Sequence, residues 1–447
     1  MCSIFGINKN LSKNEIDLLN IKLKLRGPDA TNIIQYEGYT FLHNLLSITG
    51  KKTLQPFFDQ DVVCLFNGQI YNYLSFGNYD SDGCCIIDLY KKHGKDFAKM
   101  LDGEYAIVIC DFKNNEIILT TDLFATKPLY ILKEKETLGF SSYKSSFTNL
   151  GYKNVLKIPA NKTYVLSLDT FSVKEKKDNY SLNLNQFKNS YDDWVLAFKN
   201  SIKKRTATDK NILIGLSSGF DSGCIAHEVS LQAPGLVHTY SIKAQENEQV
   251  IKNRIKQNNV DSKFYYLTQE DFARNKQFIK KLAEEHQYKI KRNNNLTPGE
   301  LMTNDKGAVG LSFICEQAKK DGCLIYLSGQ GADEIFSDYG FAGKTIYNHS
   351  SFAGKFPEDL NTIFPWNNFF QGTQYSYLGK EENVAGAWGI EGRYPFLDKD
   401  VVQEFLWLKS DLKNKNYKSV LTFYLEKYKI DFEKNKKIGF SCDKNLQ

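Results

Sequence analysis

The chain has 447 residues, 42% of them hydrophobic and 25% charged, with a formal charge of +6. That length exceeds one ordinary core and favours two domains, and no apolar run approaches a membrane-spanning helix. Lys and acidic residues are interspersed without a basic block, which argues against nucleic acid as a partner and leaves anionic small molecules open. The opening MCSIFGINKN lacks the basic and apolar regions of a signal peptide, so a cytoplasmic protein is expected. The nine cysteines show no CxxC or His-linked spacing. They read as packing thiols rather than disulfides or zinc ligands, with Cys2 set apart below.

In chain order, residues 1 to about 170 read as short β segments between turns. YTFLHNLLSI, DVVCLFNGQIYN, YAIVICD, EIILTTD and LGFSS are apolar, β-branched or aromatic, and one helical pattern, CCIIDLYKKHGKDFAKML, lies among them. This predicts an α+β half rich in antiparallel sheet. The polar stretch FSVKEKKDNYSLNLNQFKNS reads as a linker or as a solvated hairpin. Domains are therefore expected over 1–180 and 190–447. In the second half NILIGL, VHTYSI, KFYYLT and CLIYLSG alternate with helical runs such as DSGCIAHEVSLQ and VGLSFICEQAKKDG. Strand–helix alternation predicts a doubly wound parallel sheet, with ligands at the carboxyl ends of its strands.

A cysteine at position two has two readings. It is a small buried hydrophobe, or, once Met1 is removed, a nucleophile whose own α-amine (pKa near 7.7–8) serves as its base. The segments after it favour the second. Arg26-Gly27-Pro28-Asp29, Gln55-Pro56, Asn67-Gly68-Gln69-Ile70-Tyr71-Asn72, Ser81-Asp82, Leu101–Ala106 and Asp122–Tyr130 are each explicable as turns. In this order they resemble the Ntn-type glutaminase domain of the asparagine synthetase family over essentially all of this half. The resemblance implies an Ntn-hydrolase-like sandwich with Cys2 as nucleophile, and Asn67 with the Gly68 amide as oxyanion hole. It also implies Asp82 and Gln69 as glutamine contacts, and Arg26 as a brace. Two positions depart from the family pattern. Leu45 stands where an Arg binds the glutamine α-carboxylate, and Gln69 where the family has Glu. Losing a charge-assisted bond costs about 1.5–3 kcal/mol, so a weakened donor site is expected unless Lys51 or Lys52 substitutes.

Ser217-Ser218-Gly219-Phe220-Asp221-Ser222 follows NILIGL and precedes a helix. Taken alone it is an ordinary strand–turn–helix or an anion site at a helix N-terminus. It is similar to the SGGxDS pyrophosphate loop of the ATP-pyrophosphatase superfamily. Further matches to the asparagine synthetases are Ser328-Gly329-Gln330-Gly331-Ala332-Asp333-Glu334, the stretch Trp388–Asp398 and Lys436–Phe440. Asp305 is a weaker match to a further acidic position. The resemblance implies ATP and Mg²⁺ as cofactors, with Ser217, Ser218, Gly219, Asp221, Ser222, Ser241, Gly329 and Gly331 around ATP. It makes Asp221 and Asp333 the metal ligands, Lys437 a catalytic cation, and Glu391 with Arg393 a bracing ion pair. Gln330 replaces a family Glu in the acceptor site, and an amide is neither a base nor an anion. Only seven residues follow Phe440, where the family often continues.

The expected activity is glutamine- and ATP-dependent amidation of a small-molecule carboxylate through an acyl-adenylate, releasing AMP and pyrophosphate. The alternatives are a ligase of the same fold that uses a non-aspartate carboxylate, such as a sugar acid, with ammonia or an amine, and a catalytically silent nucleotide-binding relative. Neither a membrane nor a nucleic-acid partner is expected, and a homodimer is compatible.

Overall fold

The computed structural model describes residues 2–243, 246–292, 295–434 and 446. The chain divides into two compact units. The first comprises Met1–Ser181 with Leu282–Glu284 and Gly386–Gly389; the second comprises the remainder.

Among the described residues the first unit holds two six-stranded sheets whose strand pairings are antiparallel. Strand Ser3–Ile7 is central in one sheet, paired with Tyr39–Leu45 and Thr137–Ser141. Strand Val62–Ile70 pairs with Gly103–Asp111 in the other. Side chains alternate across each strand, so Ile4, Phe41, Val63, Leu65 and Val108 meet between the sheets. Phe5, Ile7 and Leu42 turn outward against Leu19 and Leu23 of helix Lys13–Arg26. Cys64, Phe66 and Ile107 pack on the other side against Ile86, Leu89 and Tyr90 of helix Ile86–His93. The result is the expected helix–sheet–sheet–helix sandwich. Helix Lys13–Arg26 is not conspicuous in the sequence, because its buried residues are only Leu19, Leu23 and Arg26. Its start is fixed by a capping box between Ser12 and Glu15.

The predicted linker is partly sheet. Val173–Asp178 pairs antiparallel with Lys162–Ser167 and forms an edge strand. Lys174, Lys176 and Lys177 make this strand read as solvated linker, and the same lysines discourage pairing at an open edge. The first part of the stretch is thus a solvated hairpin, and the boundary between the two units falls in its remainder.

The second unit is built on a five-stranded sheet in the order Asp261–Tyr265, Val237–Ile242, Asn211–Gly215, Cys323–Leu327, Glu391–Arg393, with parallel pairings throughout. The chain leaves Asn211–Gly215 toward one side for the next strand and returns on the other side for Cys323–Leu327. That reversal opens a crevice at the carboxyl ends of these two neighbours. The loops leaving them are Ser217–Ser222 and Ser328–Glu334. Glu391 and Arg393 form a buried ion pair at 2.8 Å, and Arg393 also donates to the Arg205 carbonyl at 2.7 Å. No described helix is long and apolar enough to cross a membrane.

Candidate functional site

In the first unit Cys2 is buried and forms no disulfide among the described residues. Its backbone N–H donates to Asn67 Oδ1 at 3.0 Å, which ties the first sheet to the second. That bond orients the Asn67 amide, and Asn67 Nδ2 is a fully buried donor with no hydrogen-bond partner among the described residues. An unpartnered buried N–H is costly, and here it lies on the residue that holds the Cys2 backbone. Such a donor is suited to an oxyanion that exists only during reaction. Gly68 has φ +144, and a Cβ there would lie 2.0 Å from the Glu104 carbonyl, so only glycine fits.

Arg26 is fully buried. Its Nε donates to the Cys2 carbonyl at 3.2 Å and its Nη1 to Tyr143 Oη at 3.1 Å. A Cβ on Gly27 would lie 2.2 Å from the Asn44 carbonyl, while Asp29 caps the Ser47 amide at 2.7 Å. The Arg-Gly-Pro-Asp segment is thus a brace. Asp82 accepts from the Ile70 amide at 2.8 Å, and Gln69 Oε1 accepts from Thr49 at 2.6 Å. Leu45 is buried. Lys51 is paired with Asp80 at 2.8 Å and Lys52 donates to the Asp29 carbonyl at 3.1 Å, so each already has a surface partner. His43 shares the register pair of Ile4, two residues along the strand from Cys2. Burial pushes its pKa down to about 3, so the ring is neutral.

In the second unit a cavity of about 270 Å³ is lined by Ser217, Gly219, Asp221, Ser222, Gly329, Gln330 and Asp333, among others. The Ser217–Ser222 loop is internally tied. Ser222 Oγ accepts from the Ser217 amide at 3.0 Å, and Ser217 Oγ accepts from the Gly219 amide at 3.1 Å. Arg254 clamps the Ser217 and Gly219 carbonyls at 2.6 and 2.8 Å. The Ser218 amide and hydroxyl both donate to Glu246, the amide at 2.8 Å; the same donors suit a phosphate oxygen. Gly329 brings the second loop up close, since a Cβ there would lie 2.8 Å from Asp221 Cβ. Gly331 needs its φ of +98, and a Cβ would strike Leu397 at 2.4 Å. Ser241 is buried and donates to the Leu216 carbonyl at 2.7 Å.

The two loops bring Asp221 and Asp333 onto one buried cation, with Lys418 Nζ 2.6 Å from Asp221 Oδ1 and 2.8 Å from Asp333 Oδ1. Burial alone would depress the lysine pKa, but the two carboxylates outweigh it and hold it above the ordinary value. Tyr417 also donates to Asp333 Oδ1 at 3.0 Å. Two hard oxygen ligands that already share one cation fit Mg²⁺ chemistry. The sequence reading missed Lys418, Arg254 and Glu246 because none lies in a patterned segment; Lys418 sits alone in NYKSVL at φ +45. Lys437, the cation expected there, lies outside the described residues.

The wall beyond Gln330 carries Asp305, Glu334, Tyr339, Tyr377, Lys380 and Glu381. Asp305 caps helix Lys306–Lys320 through the Gly307 amide at 2.7 Å and accepts from Tyr288. Gln330 is 8% exposed, and its Nε2 has no partner among the described residues.

Comparison with known proteins matches the two halves of the chain to two family models. The glutamine amidotransferase domain matches residues 1–188 and asparagine synthase matches residues 195–376. A putative glutamine-hydrolyzing asparagine synthetase 1 of Methanocaldococcus jannaschii is 26% identical, covering 100% of this chain and 88% of that protein. A glutamine-hydrolyzing asparagine synthetase 2 of Arabidopsis thaliana is 25% identical over 90% of this chain and 70% of that protein. Among solved structures, the glutamine phosphoribosylpyrophosphate amidotransferase of B. subtilis is 11% identical with a TM-score of 0.35, over 98% of this chain and 99% of that one.

Proposed function

This chain belongs to the asparagine synthase family, with an amino-terminal glutamine amidotransferase domain and a synthase domain that implies ATP use, and from that premise we propose that it amidates a small-molecule carboxylate with nitrogen from glutamine. The observation that carries this reading is the coexistence of two prepared charge sites in one chain. One is the unpartnered Asn67 amide beside Cys2; the other is the pair of loops that present Asp221, Asp333 and Lys418 to one cavity.

In the first site the Cys2 thiolate attacks the glutamine side-chain amide, and Asn67 Nδ2 meets the developing oxyanion. Ammonia leaves, and water releases glutamate from the thioester. Asp82 and Gln69 hold the amino-acid end. In the second site the acceptor carboxylate attacks the α-phosphorus of ATP and pyrophosphate departs. Ser217, Ser218, Gly219 and Ser222 offer amides and hydroxyls at a helix N-terminus to the phosphates. Ammonia then displaces AMP from the acyl-adenylate. Asp221 and Asp333 would hold Mg²⁺, which when bound neutralises phosphate charge. Lys418, and Lys437 from its place in the motif, supply further positive charge.

Gln330 favours an acceptor other than aspartate. Its neutral amide offers an N–H donor where a carboxylate would attract an ammonium group, so a carboxylate without an α-amino group, such as a sugar acid, is the better fit. The test is a screen of carboxylates for AMP formation with and without glutamine. Glutamine-stimulated AMP release with a non-amino carboxylate is the expected result. Brisk asparagine formation from aspartate would return the acceptor to the ordinary one, and no AMP release with any carboxylate would leave a silent nucleotide binder.

A further inference from the structure

The carboxylates on the cavity wall differ in what holds them. Asp221 and Asp333 are bound to Lys418. Asp305 accepts from the Gly307 amide and from Tyr288, and Lys380 Nζ stands 3.7 Å away. Glu334 is spent on its own helix start, accepting from the Gly331 amide at 3.1 Å and from Tyr339. Glu381 is different. It comes from the long helix Gly372–Ala387, reaches the cavity, and is 9% exposed. Among the described residues its hydrogen-bonding neighbours are neutral hydroxyls: Ser328 donates to Oε2, and the Tyr326 phenol lies beside it.

Ser328 also accepts from the Gln330 amide at 3.0 Å, so one hydroxyl links Glu381 to the loop that carries the unpartnered Gln330 side chain. The two residues divide what a single carboxylate could otherwise do. Gln330 can donate to an acyl oxygen but cannot take a proton; Glu381 can take one.

Resting on the amide-forming reading above, we propose that Glu381 is the catalytic base of the second half-reaction. Attack of ammonia on the acyl-adenylate forms the C–N bond and leaves a surplus proton on nitrogen. Glu381 takes that proton, the N–H bond breaking as a carboxyl O–H forms. The acyl C–O bond then breaks, its electron pair leaving on AMP, and the carboxyl proton passes to solvent. Burial raises the Glu381 pKa to about 7, in the range where a carboxylate accepts protons efficiently near neutrality. The titratable groups facing it are Lys380 and Glu382 on its own helix, Glu334 on the loop helix, Tyr326 on the strand and Cys315 on helix Lys306–Lys320.

The experiment compares the full-length wild type, Glu381→Gln and Glu381→Asp with ammonium chloride as nitrogen source and aspartate, glutamate, glucuronate and galacturonate as acceptors. Carboxylate-dependent ATP–pyrophosphate exchange reads the first step, and amide formation at fixed free ammonia reads the second. Glu381→Gln is expected to keep exchange while kcat for amide formation falls roughly 10²–10⁴-fold. The wild-type limb that rises with pH near 7 should vanish, and Glu381→Asp should recover part of it. Unchanged amide formation in Glu381→Gln, or an equal loss in both steps, would overturn the assignment. If the wild type itself shows no exchange with any acceptor, the proposed function fails first and the base with it. Exchange without amide formation by the wild type sinks the amidation and the base with it, whereas wild-type amide formation that Glu381→Gln leaves intact sinks the base alone.

Discussion

Lys418 Nζ lies 2.6 Å from Asp221 Oδ1, a buried ion pair between residues 197 positions apart in the chain. The Asp333 carboxylate shares the same ammonium at 2.8 Å. Removing the lysine takes away the ammonium that Asp221 and Asp333 share. Breaking a buried pair this way costs up to about 3–5 kcal/mol; partial exposure of Asp221 puts the expected loss toward the lower end. Lys418→Met should therefore lower stability by roughly 2–3 kcal/mol on urea unfolding and abolish ATP–pyrophosphate exchange. Asp221→Asn or Asp333→Asn should remove AMP formation while glutamine hydrolysis persists. Wild-type adenylation in all three would rule out a role for this cluster at the phosphates.

Asn67 does two things with one amide. Its oxygen holds the Cys2 N–H, and its nitrogen is unpartnered. Asn67→Asp keeps the acceptor, loses the donor and adds negative charge. Glutaminase kcat should fall roughly 10²–10³-fold, with little change in KM for glutamine. Cys2→Ala should abolish glutamine-dependent product and spare ammonia-dependent product. Equal loss of KM and kcat in Asn67→Asp would point to binding rather than transition-state stabilisation.

Leu45 is buried where an Arg fork is expected, and Lys51 and Lys52 each have another partner. Leu45→Arg should tighten glutamine by about 1.5–3 kcal/mol if the fork meets the α-carboxylate. Steady-state glutamine kinetics read this directly. An unchanged KM would show that another group already holds that carboxylate.

Asp398 bears on stability rather than chemistry. Burial opposes its charge, but Arg205 at 2.8 Å and Lys204 at 2.6 Å outweigh it, and its pKa falls to about 2. A depressed carboxyl contributes stability that is fully present above its unfolded value, near 3.9, and is lost as pH falls through the folded value. Asp398→Asn should cost on the order of 2–3 kcal/mol at pH 7. The gap to wild type should shrink below about pH 4 and close near pH 2. A gap that is constant with pH would mean packing, not charge, sets the cost.

Strands such as Val62–Ile70 and Asn211–Gly215 are legible in the sequence because each buries an unbroken apolar run, as in DVVCLFNGQI and NILIGL. The Asn67-Gly68 corner and the loop Ser328–Glu334 are legible because glycine is required at Gly68 against the Glu104 carbonyl, and at Gly329 and Gly331 against the Asp221 and Leu397 side chains. Helix Lys13–Arg26 and the edge strand Val173–Asp178 escape notice because their faces are mostly wet, so local composition speaks for solvent rather than for pairing.

Sequence by itself determined the family, the order of the two sheet types and the candidate nucleophile, since these rest on residue type and short spacing. Only the tertiary structure decided which charges face one another. Lys418 reaches Asp221 and Asp333 because a late helix start packs at the ends of two neighbouring parallel strands. Glu381 reaches the Gln330 loop because a separate helix lies against the same crevice. Coulomb and desolvation terms depend on distance through space and on burial, and neither is written in the separation of residues along a chain.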